Sequence, residues 1–440
     1  MKKISQMIYS EFIKSTFFIL LLLSFIFSRS FLGVYIFGFR IGEYLMAFAL
    51  VLFIFTLFYK FENNPLNLLN SNVKLGLTFL FLLFVLTFVN SNSQLFDPYS
   101  YKTSTYIWSI SFLFLGMSSK EIKLDKLRIK ILQLLIIFVY VTSIYGYPEG
   151  LIDLILQISD KYELHKGSDL ALFYIICIVL INRSFNYTFE GFKYLCINSS
   201  LFLPLLLFKS RSAFIACFIL FIFEFYKCLK DLNFLKKQTL ILFATSICLL
   251  TISTYLTQNK VIPEEINIDL ISDSYSSLSE YRLKHYQQDY PLFYYEDGRV
   301  FSGDGNLNWR LIMWQDAIDD NIGENKLLVG VGYKEMFNIF QVDNTGYGND
   351  RRGIDKLNEQ VHNYFLTVLL RGGLFQLIIL LFIFYNILNT KPINGSKASL
   401  GVFMFAVFFI SSFDSSMENS HFPLLFYYFL GNFYLVKERT

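Results

Sequence analysis

The chain reads as a series of apolar stretches separated by short polar links. Crossing a bilayer's hydrocarbon layer takes roughly 20 mostly apolar residues in helical form. A helix suits this because it satisfies its own backbone groups where no water is present. On that criterion, spans are predicted near 13–30, 41–59, 75–92, 103–118, 130–147, 168–184, 192–208, 211–227, 238–256, 363–388, 398–413 and 421–436. Arg29 and Arg40 bracket a stretch after the first span that is short enough to be re-entrant. Residues 150–160 are also too short to cross and carry Asp153 and Asp160, the pattern of an interfacial helix. The start, Met1-Lys2-Lys3 before an apolar run, has the charge of a signal peptide. However, no small-residue cleavage site follows and further spans come at once, so a retained first helix is expected.

One segment breaks the pattern. Residues 257–361 open polar and acidic at Pro263-Glu264-Glu265, then turn Gly- and Asp-rich at Asp297-Gly298 and Gly303-Asp304-Gly305. A helix is predicted next, capped by Asn306 or Asn308, with Leu307, Leu311, Trp314 and Ile318 at helical spacing. Gly330-Val331-Gly332 closes that unit, and a Gly/Asn/Asp stretch follows over 343–350. The expected division is a membrane part over 1–256 with nine spans, a loop domain over 257–361, and three spans over 362–440.

Composition agrees with this pattern. Of 440 residues, 54% are hydrophobic and only 17% are charged, against about 25% charged in soluble domains. A net charge of +3 gives no argument for nucleic acid. The five cysteines, Cys177, Cys196, Cys217, Cys228 and Cys248, lie in or beside apolar runs and read as small apolar filler. Lys and Arg concentrate in alternate loops, at Lys120, Lys123, Lys126, Arg128 and Lys130 and again at Lys227, Lys230, Lys236 and Lys237. By the positive-inside rule these loops are cytoplasmic. Both termini then lie inside, and the large loop faces the periplasm of a bacterial inner membrane.

Ionisable residues near membrane depth are costly and mark function by default. Arg211, in Lys209-Ser210-Arg211-Ser212, sits where two spans turn with almost no loop. It reads either as an interfacial arginine with a snorkelling stem or as an anion ligand. Arg310 is next to the apolar stripe of the loop helix, four residues before Trp314. It is either a solvated arginine or a guanidinium held against an aromatic face and offered to an anion. His362 ends the loop, where an imidazole titrating near neutral pH can act as a base or as a hydrogen-bonding strut. His165, His285 and His421 are its rivals. Asp414 and Glu418 belong to the same side and could pair with the arginines. No Walker loop, HExxH, GxSxG or Asp-x-Asp is present, and no metal is expected.

Taken together, Ser210-Arg211-Ser212, Arg310-Leu311-Ile312-Met313-Trp314, Gly330-Val331-Gly332, His362-Asn363-Tyr364-Phe365-Leu366 and Gly372-Gly373-Leu374 resemble the O-antigen ligase and polymerase family. The resemblance covers residues 190–380 in motif and most of the chain in topology. It implies an all-α, GT-C-like polytopic fold with about twelve spans and a periplasmic loop between the ninth and tenth. The implied enzyme is a metal- and cofactor-independent glycosyltransferase. It would move a glycan from an undecaprenyl-pyrophosphate donor to lipid A–core or a similar acceptor, or to another repeat unit in the polymerase branch. His362 would be the base and Arg211 with Arg310 the pyrophosphate ligands. Lys209, Trp314, Asn363, Tyr364, Asp414 and Glu418 would line the substrate. A different class, a glycolipid transporter, fits less well, because transporters place their polar residues near the midplane.

Overall fold

The computed structural model describes residues 15–16, 18–37, 39–58, 69–94, 97–118, 126–159, 165–185, 188–231, 237–261, 291–341, 361–390, 392 and 396–433. The acidic opening of the loop at Pro263, the rival base His285 and the 343–350 stretch lie outside the described residues. Helices dominate, as expected of an all-α membrane protein. Among the described residues, six are long and apolar enough to cross a bilayer: Ser71–Asn90, Leu127–Tyr145, Phe189–Lys209, Arg211–Lys230, Lys237–Asn259 and Tyr364–Asn389. Five more predicted spans appear as shorter apolar helices, including Phe18–Phe27, Gly167–Asn182 and Lys397–Ser411. The last predicted span is the twelve-residue helix His421–Asn432.

The packing shows why these helices need lipid. In Ser71–Asn90, Val73, Gly76, Leu80, Phe84 and Thr87 are buried at helical spacing. On the other side, Leu75, Phe79, Leu82, Leu86 and Val89 are all exposed. A helix apolar on both faces is stable only where its second face also meets an apolar medium.

The chain divides into two compact units, one over 1–70, 108–263 and 388–440 and the other over 71–107 and 264–387. In the first, the helix Phe189–Lys209 packs against Arg211–Asp231 and Lys237–Val261. His421–Asn432 packs against Ser111–Ser118, with Gly116 facing the Tyr428 carbonyl and Gly431 facing the Leu113 carbonyl. Small residues at such a crossing let helix backbones approach closely. Glu149–Ile158 forms the predicted short helix, with Leu154, Leu156 and Ile158 exposed and Ile155 buried. The stretch after Arg29 is a four-residue helix, Arg29–Leu32, followed by a small hairpin pairing Tyr35 with Arg40.

The second unit contains the described part of the large loop. A hairpin, Tyr294–Glu296 with Arg299–Phe301, turns at Asp297 and Gly298, both at positive φ, as an Asp-Gly hairpin turn requires. It is fixed to the following helix, Gly305–Gly323, by Arg299 on Asp316 (2.7 Å) and Asp319 (3.0 Å) and by Gln315 on the Val300 backbone. Two details depart from the sequence reading. Asp304 caps this helix, accepting from the Leu307 N–H at 3.0 Å, whereas Asn308 is buried and accepts from the Ser302 N–H instead. The most buried stripe, Asn308, Ile312, Met313, Ala317 and Asn321, is also shifted from the one the leucines suggested.

The helix Tyr364–Asn389 is broken at Gly373, where φ is 77° and ψ 174°. A break inside an apolar helix strands carbonyls and N–H groups that lipid cannot satisfy. The segment 327–332 supplies the partners. Val331 and Gly332 N–H groups donate to the Leu370 and Arg371 carbonyls (2.9 and 3.1 Å), and the Leu374 N–H donates to the Leu327 carbonyl (2.9 Å). Gly330 and Gly332 are therefore the inner edge of this clasp. A Cβ on Gly330 would lie 2.2 Å from the Arg371 carbonyl oxygen, and one on Gly373 would lie 2.2 Å from that of Leu328. Arg371, 2% exposed, locks the clasp from its side chain. It donates to the Gly332 (3.1 Å) and Glu335 (2.5 Å) carbonyls and to the Tyr99 hydroxyl (2.8 Å), over the Phe337 ring.

Gly373→Ala is expected to destabilise the protein by about 1–3 kcal/mol, through backbone strain and the clash with Leu328. Gly401, with open space around it, is the control. Thermal midpoints of the two alanine variants in detergent should separate clearly; equal midpoints would refute the clasp.

Candidate functional site

The predicted site residues fall in both units. Arg310, Trp314, His362, Asn363 and Tyr364 belong to the second, and Lys209, Arg211, Asp414 and Glu418 to the first.

In the second unit, the loop helix presents a face defined by Arg310, Trp314, Ala317 and Asn321, at i, i+4, i+7 and i+11. That face meets the corner where the loop becomes the membrane helix. The Trp314 indole N–H donates to the Val361 carbonyl at 2.6 Å. Further along, the Asn321 amide donates to the Leu370 carbonyl at 3.3 Å. Ala317 lies in an apolar core with Met313, Phe337, Phe340, Val361, Leu366 and Leu370. Arg310, one turn before Trp314, is therefore carried on the face that grips the residue before His362.

His362 sits at the corner itself, at φ 54°, in a left-handed region uncommon for residues other than Gly. Its ring is half-buried and meets the edge of Trp309, the neighbour of Arg310, with centroids 5.3 Å apart. Asn363 caps the helix, its Oδ1 accepting from the Leu366 N–H at 3.0 Å. Tyr364 turns inward and is 1% exposed. Below it, Tyr333, Tyr106 and Gln376 form a buried network, with the two hydroxyls 2.7 Å apart. Burial pushes the Tyr333 hydroxyl up to about 12, so it remains a protonated donor.

In the first unit, Ser210 alone separates two long helices, and Arg211 opens the second one exposed. Lys209 donates to the His165 carbonyl at 3.1 Å. Asp414 pairs with Lys166 at 2.5 Å and caps the 3₁₀ turn Ser415–Glu418 through the Ser415 N–H. The rival His421 is 3% exposed, with its Nε2 2.8 Å from Asp169 Oδ1. Asp169 is also bonded by Arg29 (3.2 Å) and Ser28 (2.9 Å). This buried cluster joins three elements of the unit, with the His421 imidazole as one of its members.

His165 is engaged in a similar way. Its Nε2 lies 2.9 Å from both the Thr142 and Tyr147 hydroxyls. Those hydroxyls also donate to carbonyls, Thr142 to Phe138 and Tyr147 to Ile26. Burial, reinforced by the Lys209 ammonium, pushes the His165 imidazole down to about 3.

Sequence reasoning missed Trp309 as the ring partner of His362, and it missed the Arg29–Asp169–His421 cluster and Arg371. A signal existed for the last of these, since Arg371 is a charge inside a predicted span. Among the described residues, no group of three His, Cys, Asp or Glu side chains is arranged to hold a metal.

Residues 198–381 match the family model described as O-antigen ligase. This supports membership of the O-antigen ligase and polymerase family, and with it ligase- or polymerase-type activity on lipid-linked glycans in a membrane. The matched range contains Lys209, Arg211, Arg310, Trp314 and His362–Tyr364, and excludes Asp414 and Glu418. No curated protein matches the chain.

The state of His165 makes stability depend on pH. An unfolded imidazole takes up a proton near 6.5, whereas the folded one does so only near 3. Between those values the unfolded chain binds more protons, so this contribution is complete above about 6.5 and declines as pH falls. At pH 5 the loss is about 2 kcal/mol. His165→Gln should flatten the fall in thermal midpoint between pH 7 and 5; an unchanged slope would remove His165 as its source.

Proposed function

We propose that this member of the O-antigen ligase family is a metal-independent glycosyltransferase of the outer face of the bacterial inner membrane. It transfers a glycan from an undecaprenyl-pyrophosphate donor to lipid A–core or a similar acceptor. The observation that carries the reading is the docking of the Arg310-bearing helix face onto the His362 corner, through Trp314 on Val361 and Trp309 on His362. An anion ligand and a base are thereby held on one rigid support.

In this reaction His362 removes the proton of the acceptor hydroxyl, and the resulting oxygen attacks the anomeric carbon of the donor sugar. The bond from that carbon to the pyrophosphate oxygen breaks, and the pyrophosphate leaves with the added charge. Guanidinium groups, that of Arg310 and, by the family resemblance, that of Arg211, stabilise that charge with planar, bidentate donors. A positioned base typically contributes about 10²–10⁴-fold. The positive-inside pattern supports both termini inside, about twelve spans, and the loop in the periplasm.

The polymerase reading differs only in the acceptor, which would be a second lipid-linked repeat unit. A deletion strain separates the two. A ligase leaves polymer on the lipid carrier with none attached to the acceptor, whereas a polymerase leaves single repeats attached. Normal glycans in the deletion strain would refute both.

His362→Ala should lower transfer by about 10²-fold or more while donor affinity stays near wild type, because a base acts on the transition state. His421→Asn keeps a donor for Asp169 and should retain most activity. Transfer rate and donor affinity of the purified variants decide the matter. An active His362→Ala protein, or one that has lost only donor binding, would move the base elsewhere.

A further inference from the structure

We infer that Leu327–Val329, part of the hydrophilic loop by sequence, is a ledge seated in the outer leaflet's lipid, and that the lipid boundary crosses the helix Tyr364–Asn389 at its break. Three independent observations within the second unit lead there.

The first is a change in the helix itself. Its exposed large apolar residues are Phe375, Ile378, Leu381, Phe382 and Tyr385, all beyond Gly373. From Tyr364 to Gly372 no residue is exposed, and Leu366 and Leu370 belong to the loop's own apolar core. Nine residues that length and composition alone would assign to the membrane are thus covered by protein.

The second is the neighbouring helix, Ser71–Asn90. It runs antiparallel to the first, with Asn72 bonded to Asn386 (3.1 Å) and Thr87 to Gln376 (2.9 Å). Its exposed apolar face ends at Val89, and the chain continues as Asn90-Ser91-Asn92-Ser93. Gly332 packs on Ser91 and donates its N–H to the Arg371 carbonyl. One helix therefore leaves its apolar stretch where the other breaks.

The third is the ledge. Leu328 and Val329 are 50% and 53% exposed. The Leu327 and Leu328 carbonyls accept from the Leu374 and Phe375 N–H groups (2.9 and 3.4 Å). Other apolar side chains of the loop are exposed too, Leu292, Phe293 and Ile322 among them, but these two belong to the segment bonded to the membrane helix beyond its break. Here they extend the exposed face that begins at Phe375, itself 49% exposed. The partner that fits is the acyl region just below the headgroups. Lys326 and Lys334 flank the segment with chains long enough to reach those headgroups.

The test is spin-label accessibility in nanodiscs. Cys248→Ala removes the exposed thiol among the described cysteines, and single cysteines then replace Leu328, Val329, Phe375 and Glu296. Labels at 328 and 329 should match 375, with access to oxygen exceeding that to a water-soluble nickel complex, and should oppose 296. Nickel-dominated access at both 328 and 329, with 375 reading lipid, would overturn the ledge. The unmodified protein gives a second measurement. A phospholipid with a photoactivatable group at the top of its acyl chain should label peptides spanning 326–331. Labelling confined to 375–389 would overturn the proposal.

Discussion

A backbone group in lipid must find its partner within the protein, and the described part of the second unit is organised around a place where a helix fails to provide it. At Gly373 the helix stops bonding to itself, and the segment 327–332 takes over on both sides of the break. That pairing fixes the segment to the helix, Arg371 secures it, and the loop's apolar core forms on the nine residues before the break. The loop helix then docks on that core and carries Arg310 to the His362 corner. The break is thus the joint that gives a water-facing domain a rigid footing on a membrane helix.

This arrangement separates two demands. In the proposed reaction the donor's lipid tail keeps its pyrophosphate close to the bilayer, whereas the acceptor hydroxyl approaches from water. From Tyr364 to the break at Gly373 the helix rises about 14 Å at 1.5 Å per residue. The proposed base stands on that stem, against Trp309 of the helix that carries Arg310.

The sequence made the membrane helices legible because length and apolarity are local properties. It also made the candidate chemistry legible, through an arginine at a loopless turn and a histidine at the end of a loop. Other features depended on contacts between distant residues. Arg371 holds the Gly332 and Glu335 carbonyls, and a carbonyl leaves no mark on residue identity. The loop helix was anticipated, but Asn308 was drawn away from capping by the Ser302 N–H of the hairpin, leaving the cap to Asp304. Composition marked the division of Tyr364–Asn389 only through Arg371 and the paired glycines, and did not show that the two parts differ in what covers them.

The left-handed backbone at His362 has a consequence for how such a protein could decay. At φ 54° the corner favours a short set of residues, with Gly, Asn, Asp and His the best suited. Of these, only histidine carries a ring that titrates near neutral pH. Conformation and chemistry thus narrow the choice independently and meet at one side chain. On the proposed mechanism, a drift to asparagine would satisfy the backbone and remove the base. Loss of activity by that route would also remove the ring that packs on Trp309, leaving the Trp314 bond to the Val361 carbonyl to hold the loop helix at the corner.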